Sequence, residues 1–353
     1  MGMMFTLSLC IASSLFADTY CYSTQSIQSS MDNVNIVSLN NHHLFTGSID
    51  SQMVICSQDT IHHTVTSLNE SVGIFINDKG TAAGIGRDGT LQDDNLIIVH
   101  PDDSARIELI EGSAGWASLR ALNEIGSVVG NYSGGSGSSD WQAFIYTHQT
   151  GIQFISPNSD SSYAYALSEN NQVAGYIEYG NQLRAMTSFY GIVTDLTTEL
   201  GLKGHSSARF FDENNRVLIS EYVDGYINCY WYDQTSNQLI EIYSFPPGTY
   251  SFRMVASSSG RVAFSWTDAK NSSHLLRWSD DSGIEEAALS EEIIVATAVA
   301  ISDDGTVASQ GLIHPFYHQE PIVWHSGEDS PVLLNQYLPN FPLSSQVEKM
   351  NNT

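Results

Sequence analysis

Residues 119–130 read LRALNEIGSVVG: an apolar run, a polar turn ending in glycine, and a second apolar run closed by another glycine. Asn-Glu-Ile-Gly offers residues that tolerate positive φ where two antiparallel strands reverse, so the stretch predicts a tight hairpin. The same pattern recurs at 37–47 (VSLNNHHLFTG), 74–84 (IFINDKGTAAG), 164–175 (AYALSENNQVAG), 208–219 (ARFFDENNRVLI), 253–264 (RMVASSSGRVAF) and 298–309 (AVAISDDGTVAS). Its last turn residues, His43, Gly80, Gly126, Asn171, Asn215, Gly260 and Gly305, are spaced by 37, 46, 45, 44, 45 and 45 residues. That regularity marks an internal repeat.

Each hairpin is followed by a second pair of short apolar runs. Examples are NLIIV then RIELI, QAFIY then IQFIS, INCYWY then QLIEIY, HLLRW then IEEAAL, and PIVW then VLLNQYL. Four strands per repeat of this length predict an all-β chain, a seven-bladed β-propeller of four-stranded antiparallel blades over residues 34–341. A β-helix needs a much shorter period, and the β-branched, aromatic and Gly-rich composition argues against helical repeats.

The repeats resemble the HAF-type extracellular repeat family, with a pattern of roughly A-x-x-[IL]-N-x-x-G-x-V-V-G followed by A-F-x-[YW]. The third copy matches best, through Ala121, Leu122, Asn123, Gly126, Val128, Val129 and Gly130 with Ala143, Phe144 and Tyr146; the fourth retains Ala166, Leu167, Gly175, Ala185 and Phe189. Copies five to seven carry Ile219, Phe264 and Ser309 where the pattern has its second glycine. The resemblance implies an exported propeller-type repeat protein with no common activity. Similarity to WD-type blades implies that the strand before each polar turn is innermost and that no swapped strand closes the ring.

Residues 1–17 are mostly apolar and uncharged and give way to a polar stretch, the shape of a cleaved export signal. Residues 18–33 are then a lead segment and 342–353 a tail. No later stretch reaches membrane-spanning length, so no membrane insertion is expected after cleavage. The chain has 353 residues, with 13 Lys and Arg against 39 Asp and Glu, a net charge of −26. Such a field repels phosphate backbones and excludes nucleic acid as an expected partner. Cys10 would leave with the signal; Cys21, Cys56 and Cys229 allow at most one internal disulfide.

Chemical motifs are sparse. Gly84, Gly86 and Gly89 spell GxGxxG, but no helix start follows. Ser279, Asp281 and Gly283 echo part of a sialidase Asp-box, with Glu286 in place of its aromatic, and fit a solvated hairpin turn better. The pairs His42/His43 and His62/His63, the spacing of His314 and His318, and the cluster Asp93, Asp94, Asp102 and Asp103 have side chains that can ligate a metal. Strand alternation, Pro315 and the lack of a D-x-D-x-D-G loop speak against them. No cofactor and no metal are expected.

The loops predicted on one face of the blades are richer. Trp116, Trp141, Trp266, His314 and Tyr317 are candidate partner-binding residues there, with Tyr163 and Tyr250 in connections to the same rim. Flat rings beside polar groups suit stacking on sugars or peptide side chains, while the packing alternative has Trp116 and Trp141 capping gaps between blades. The expected function is noncatalytic binding of a protein or glycan. The rival is a carbohydrate-active hydrolase or lyase at the channel mouth, which needs convergent carboxylates or a His/Tyr pair.

Overall fold

The computed structural model describes residues 34–40, 42, 44–57, 60–66, 68, 70–87, 94–101, 105–109, 116–134, 141–156, 159–314 and 318–333. They form seven four-stranded antiparallel sheets, each built from four consecutive strands. The chain is an all-β, seven-bladed β-propeller. Blades 1 to 7 span residues 34–64, 70–109, 116–154, 161–195, 205–245, 250–286 and 293–333. The only helix among the described residues is Leu196–Leu200, capped by Asp195 and by Gly201 at φ 68°. The expected signal, lead segment and tail, and Cys10 and Cys21, lie outside the described residues. Among the described residues, no helix is long and apolar enough to cross a membrane.

The described residues up to Phe210 form one compact unit and those from Phe211 onward a second. In the first unit, middle strands are buried on both faces. Leu96 and Ile98, in the third strand of blade 2 (Asp94–Val99), pack with Leu119, Val128, Phe144 and Tyr146 of blade 3. Ile97 and Val99, the alternate residues, pack with Met53, Ile55 and Ile76. Period-two alternation sends neighbouring side chains to opposite faces, so one strand serves two cores. Each fully buried aliphatic contributes about 1.5–3 kcal/mol.

The repeated hairpin turns explain their own sequence. Positive φ occurs at Gly80, Gly126, Asn171, Asn215, Gly260 and Gly305, between 58° and 92°. The first turn residue accepts a hydrogen bond from the amide four positions on. Asn40 Oδ1 does so from Leu44 at 2.9 Å, Asn77 from Thr81 and Asn123 from Ser127 at 2.8 Å, and Asp212 from Arg216 at 2.7 Å. Ser168, Ser257 and Ser302 use their hydroxyls in the same way. Such short polar side chains mimic backbone and close the turn.

In the first unit these turns also join blade to blade. Asn40 Nδ2 donates to Asn77 O at 2.9 Å, Asn77 Nδ2 to Asn123 O at 2.8 Å, and Asn123 Nδ2 to Ser168 O at 3.0 Å. In the second unit arginines take over. Arg216 holds Asp212 at 2.6 Å and Asp280 at 2.9 Å, while Arg277, sandwiched on Trp324, donates to Glu285 at 2.6 Å and to the His325 carbonyl at 2.8 Å.

The second glycine of the repeat has a local cause. A Cβ on Gly130 would sit 2.6 Å from Ser118 O, and one on Gly175 would press into Tyr163 O. The first strands shift register beside these glycines, bringing the two backbones together. Ile219, Phe264 and Ser309 occupy the equivalent positions in blades 5 to 7, fully buried.

Candidate functional site

Three first strands and their neighbours build a cluster of rings and guanidiniums in the first unit. It draws on Trp116–Leu122 of blade 3, Ser161–Leu167 of blade 4 and His205–Phe211 of blade 5. Tyr163 stacks on Tyr176, from the adjacent strand Val173–Tyr179, with centroids 5.6 Å apart and planes 4° from parallel. Tyr165 tilts against both, at 4.9 Å from Tyr163 and 6.0 Å from Tyr176. Trp141 meets Tyr163 edge-on at 6.0 Å.

Arg120 and Arg209 complete the cluster. The Arg120 guanidinium carbon lies 4.9 Å from the Tyr163 ring centroid, and that of Arg209 lies 4.0 Å from Tyr165. Among the described residues neither forms an ion pair. Burial holds the Arg120 guanidinium below its ordinary value, against the opposing pull of Tyr165. Desolvation pushes the Tyr176 phenol up, helped by Tyr165 and Glu178 and opposed by Arg209. Tyr176 therefore stays protonated at neutral pH. Arg120, Tyr165 and Arg209 share a repeat position: three places before the first turn residue stand Val37, Ile74, Arg120, Tyr165, Arg209, Met254 and Val299. Only three of those seven are polar or aromatic, and comparing the copies column by column finds them.

Trp116, 63% exposed, forms a separate platform. The Arg87 guanidinium lies 4.9 Å from its ring centroid and is fixed by Asp94 at 2.5 Å. The other Asp94 oxygen accepts from the Ala117 amide at 2.6 Å. Asp94 raises the Arg87 guanidinium above its ordinary value, burial opposing.

The other sequence candidates are placed differently. Trp141 is half-buried against Tyr163 and joins the cluster. Trp266 is buried, stacked on His274 at 4.2 Å and edge-on to Phe245 at 5.7 Å, so its ring packs inside the second unit instead of presenting a rim. His314 is exposed, with its amide on Glu292 O at 2.7 Å; Tyr317 lies outside the described residues.

No group of three or more His, Cys, Asp or Glu is arranged to hold a metal among the described residues. His62 contacts Ser57 Oγ at 3.0 Å, and Asp94 is spent on Arg87 and Ala117; Asp93, Asp102 and Asp103 lie outside the described residues. Gly84 and Gly86 belong to the strand Ala82–Arg87. Ser279 and Gly283 bound a hairpin turn in which the Ser282 amide donates to Ser279 Oγ at 3.1 Å. That turn borders a cleft of about 260 Å³ between blades 6 and 7, lined by Arg261, Arg277 and Glu285. Cys56 and Cys229 are buried thiols, and burial pushes Cys56 up to about 11.

No family model matches this chain, and neither does any curated protein sequence. Solved structures do. A prolyl endopeptidase is similar at 11% identity and a TM-score of 0.55, over 85% of this chain and 49% of that one. TolB from Acinetobacter baumannii aligns at 12% identity and 0.43, over 71% and 62% of the two chains, and a streptogramin B lyase at 12% and 0.44, over 78% and 88%. This chain spans about half to three fifths of the length of the TolB and endopeptidase chains. At such identity the likeness concerns the fold alone, and that of the endopeptidase agrees with the blades described above.

Proposed function

We propose that this chain is an exported, noncatalytic propeller of the HAF type that binds a protein or glycan through the loop-bearing ends of its blades. The observation that carries the reading is Trp116: a large apolar ring, mostly exposed, whose orientation is set by Arg87 and Asp94. A pre-oriented ring binds with less ordering cost than a mobile one. An exposed indole backed by a cation also has the composition of binding hot spots. The HAF assignment rests on the repeat pattern of the third and fourth copies, and export on residues 1–17.

Glycan-array binding by the full chain, combined with a hydrolase and lyase screen, tests the function. Trp116→Ala should weaken the captured ligand by about tenfold or more and shift stability by less than about 0.5 kcal/mol. Turnover of a glycan, abolished by changing a carboxylate, would establish the enzymatic rival instead. For export, N-terminal sequencing of secreted material should begin near Asp18; an intact Met1 would refute it.

A further inference from the structure

We propose that the cluster formed by Arg120, Tyr163, Tyr165, Tyr176 and Arg209 is a subsite for a uronic acid unit of an acidic glycan. The assignment rests on the binding reading above and names its ligand class. In a chain with 39 acidic and 13 basic residues, carboxylate partners for arginine abound, yet Arg120 and Arg209 lie on tyrosine rings instead. A guanidinium laid on an aromatic face keeps its N–H edge for another partner, and that edge matches a carboxylate with two parallel hydrogen bonds.

The tyrosines narrow the ligand further. Their hydroxyls both donate and accept, and no hydrogen bond ties those of Tyr163, Tyr165 or Tyr176 to the described residues. A sugar acid carries ring hydroxyls beside its carboxylate and satisfies both kinds of group. A glutamate side chain places methylenes beside its carboxylate and leaves the phenols unmatched. Inorganic phosphate can meet the guanidiniums but has no pyranose ring face to lie against the tyrosines.

Calorimetric titration of the full chain with a galacturonic acid trimer tests this, against neutral galactose trimer, triglutamate and inorganic phosphate. Saturable binding of the uronate trimer is expected, weaker at high salt. Arg120→Ala and Arg209→Ala should each reduce it about tenfold or more, with Arg→Lys partly restoring it and Tyr165→Phe lowering it less. Unchanged circular dichroism and melting confirm that the variants are folded; should the alanine variants unfold, Arg120→Gln and Arg209→Gln carry the same expectation. No uronate binding, binding indifferent to both arginines, or equal affinity for triglutamate or phosphate would overturn the assignment. If Trp116→Ala abolishes capture of an array glycan while the arginine variants do not, the uronate subsite fails and the platform reading stands.

Discussion

Blades 2 and 5 close the same hairpin turn with different chemistry. In blade 2, Asn77 accepts from Thr81 and its amide nitrogen reaches the Asn123 carbonyl of the next blade. In blade 5, Asp212 accepts from Arg216 in the same geometry but has no N–H to give. The link then passes to a cation: Arg216 holds Asp212 and extends to Asp280. One residue that is both donor and acceptor does two tasks; an acceptor-only replacement shifts the second task to an arginine elsewhere. Asparagine amides thus join turn to turn in the first unit, beside the Glu124 and Glu169 carboxylates, and Arg216 takes that place in the second, beside the Glu213–Ser258 backbone bond.

The comparison breaks most visibly at Arg277. Its side chain is 8% exposed and bridges Glu285, the His325 carbonyl and the Trp324 ring. Arg277→Ala should cost about 3 kcal/mol, read as a lower denaturant midpoint. Gly175→Ala comes next. Its Cβ meets the Tyr163 carbonyl, so roughly 2–3 kcal/mol should be lost, with Tyr163 displaced and the uronate subsite weakened. Asn77→Asp sharpens the contrast directly, since the acceptor survives and the interblade donor does not. About 1 kcal/mol should be lost with the interblade bond, the Asn123 carbonyl keeping the Gly126 amide, whereas Asp212→Asn sets an amide N–H against the buried Arg216 guanidinium and should cost at least as much, with little response to added salt.

The smallest effect is one of pH. Burial holds the His325 imidazole below its ordinary value of 6.5, against the opposing pull of Glu328 and Asp304. The unfolded chain therefore takes up this proton first, so the contribution is complete above about 6.5 and is lost as pH falls through the lower folded value. Thermal melts from pH 7.5 to 5 should show a small decline from this residue, flattened in His325→Gln.

The blade count and the turns were readable because both are local and recur. Asn77, Gly80 and their equivalents act within five residues, and the 45-residue period repeats the message. The ring cluster was not readable by motif, because Arg120, Tyr165 and Arg209 meet only after strands some 45 residues apart lie side by side. Trp266 shows the converse error. A tryptophan at a strand end looks like a rim residue, but whether its ring points outward depends on His274 and Phe245, which close over it. Trp116 stays exposed because Arg87 supports the ring without enclosing it.

The two-faced third strand of blade 2 makes chain neighbours thermodynamic strangers. Ile97 and Ile98 are joined by one peptide bond yet belong to different cores, whereas Ile97 and Val99 share one. In double-mutant cycles, Ile97→Val with Ile98→Val should be nearly additive, while Ile97→Val with Val99→Ala should show a coupling of about 0.5 kcal/mol or more. Substitutions in such a blade compensate one another along alternate residues and across to the facing sheet, so the pairs that constrain each other's change are not the adjacent ones.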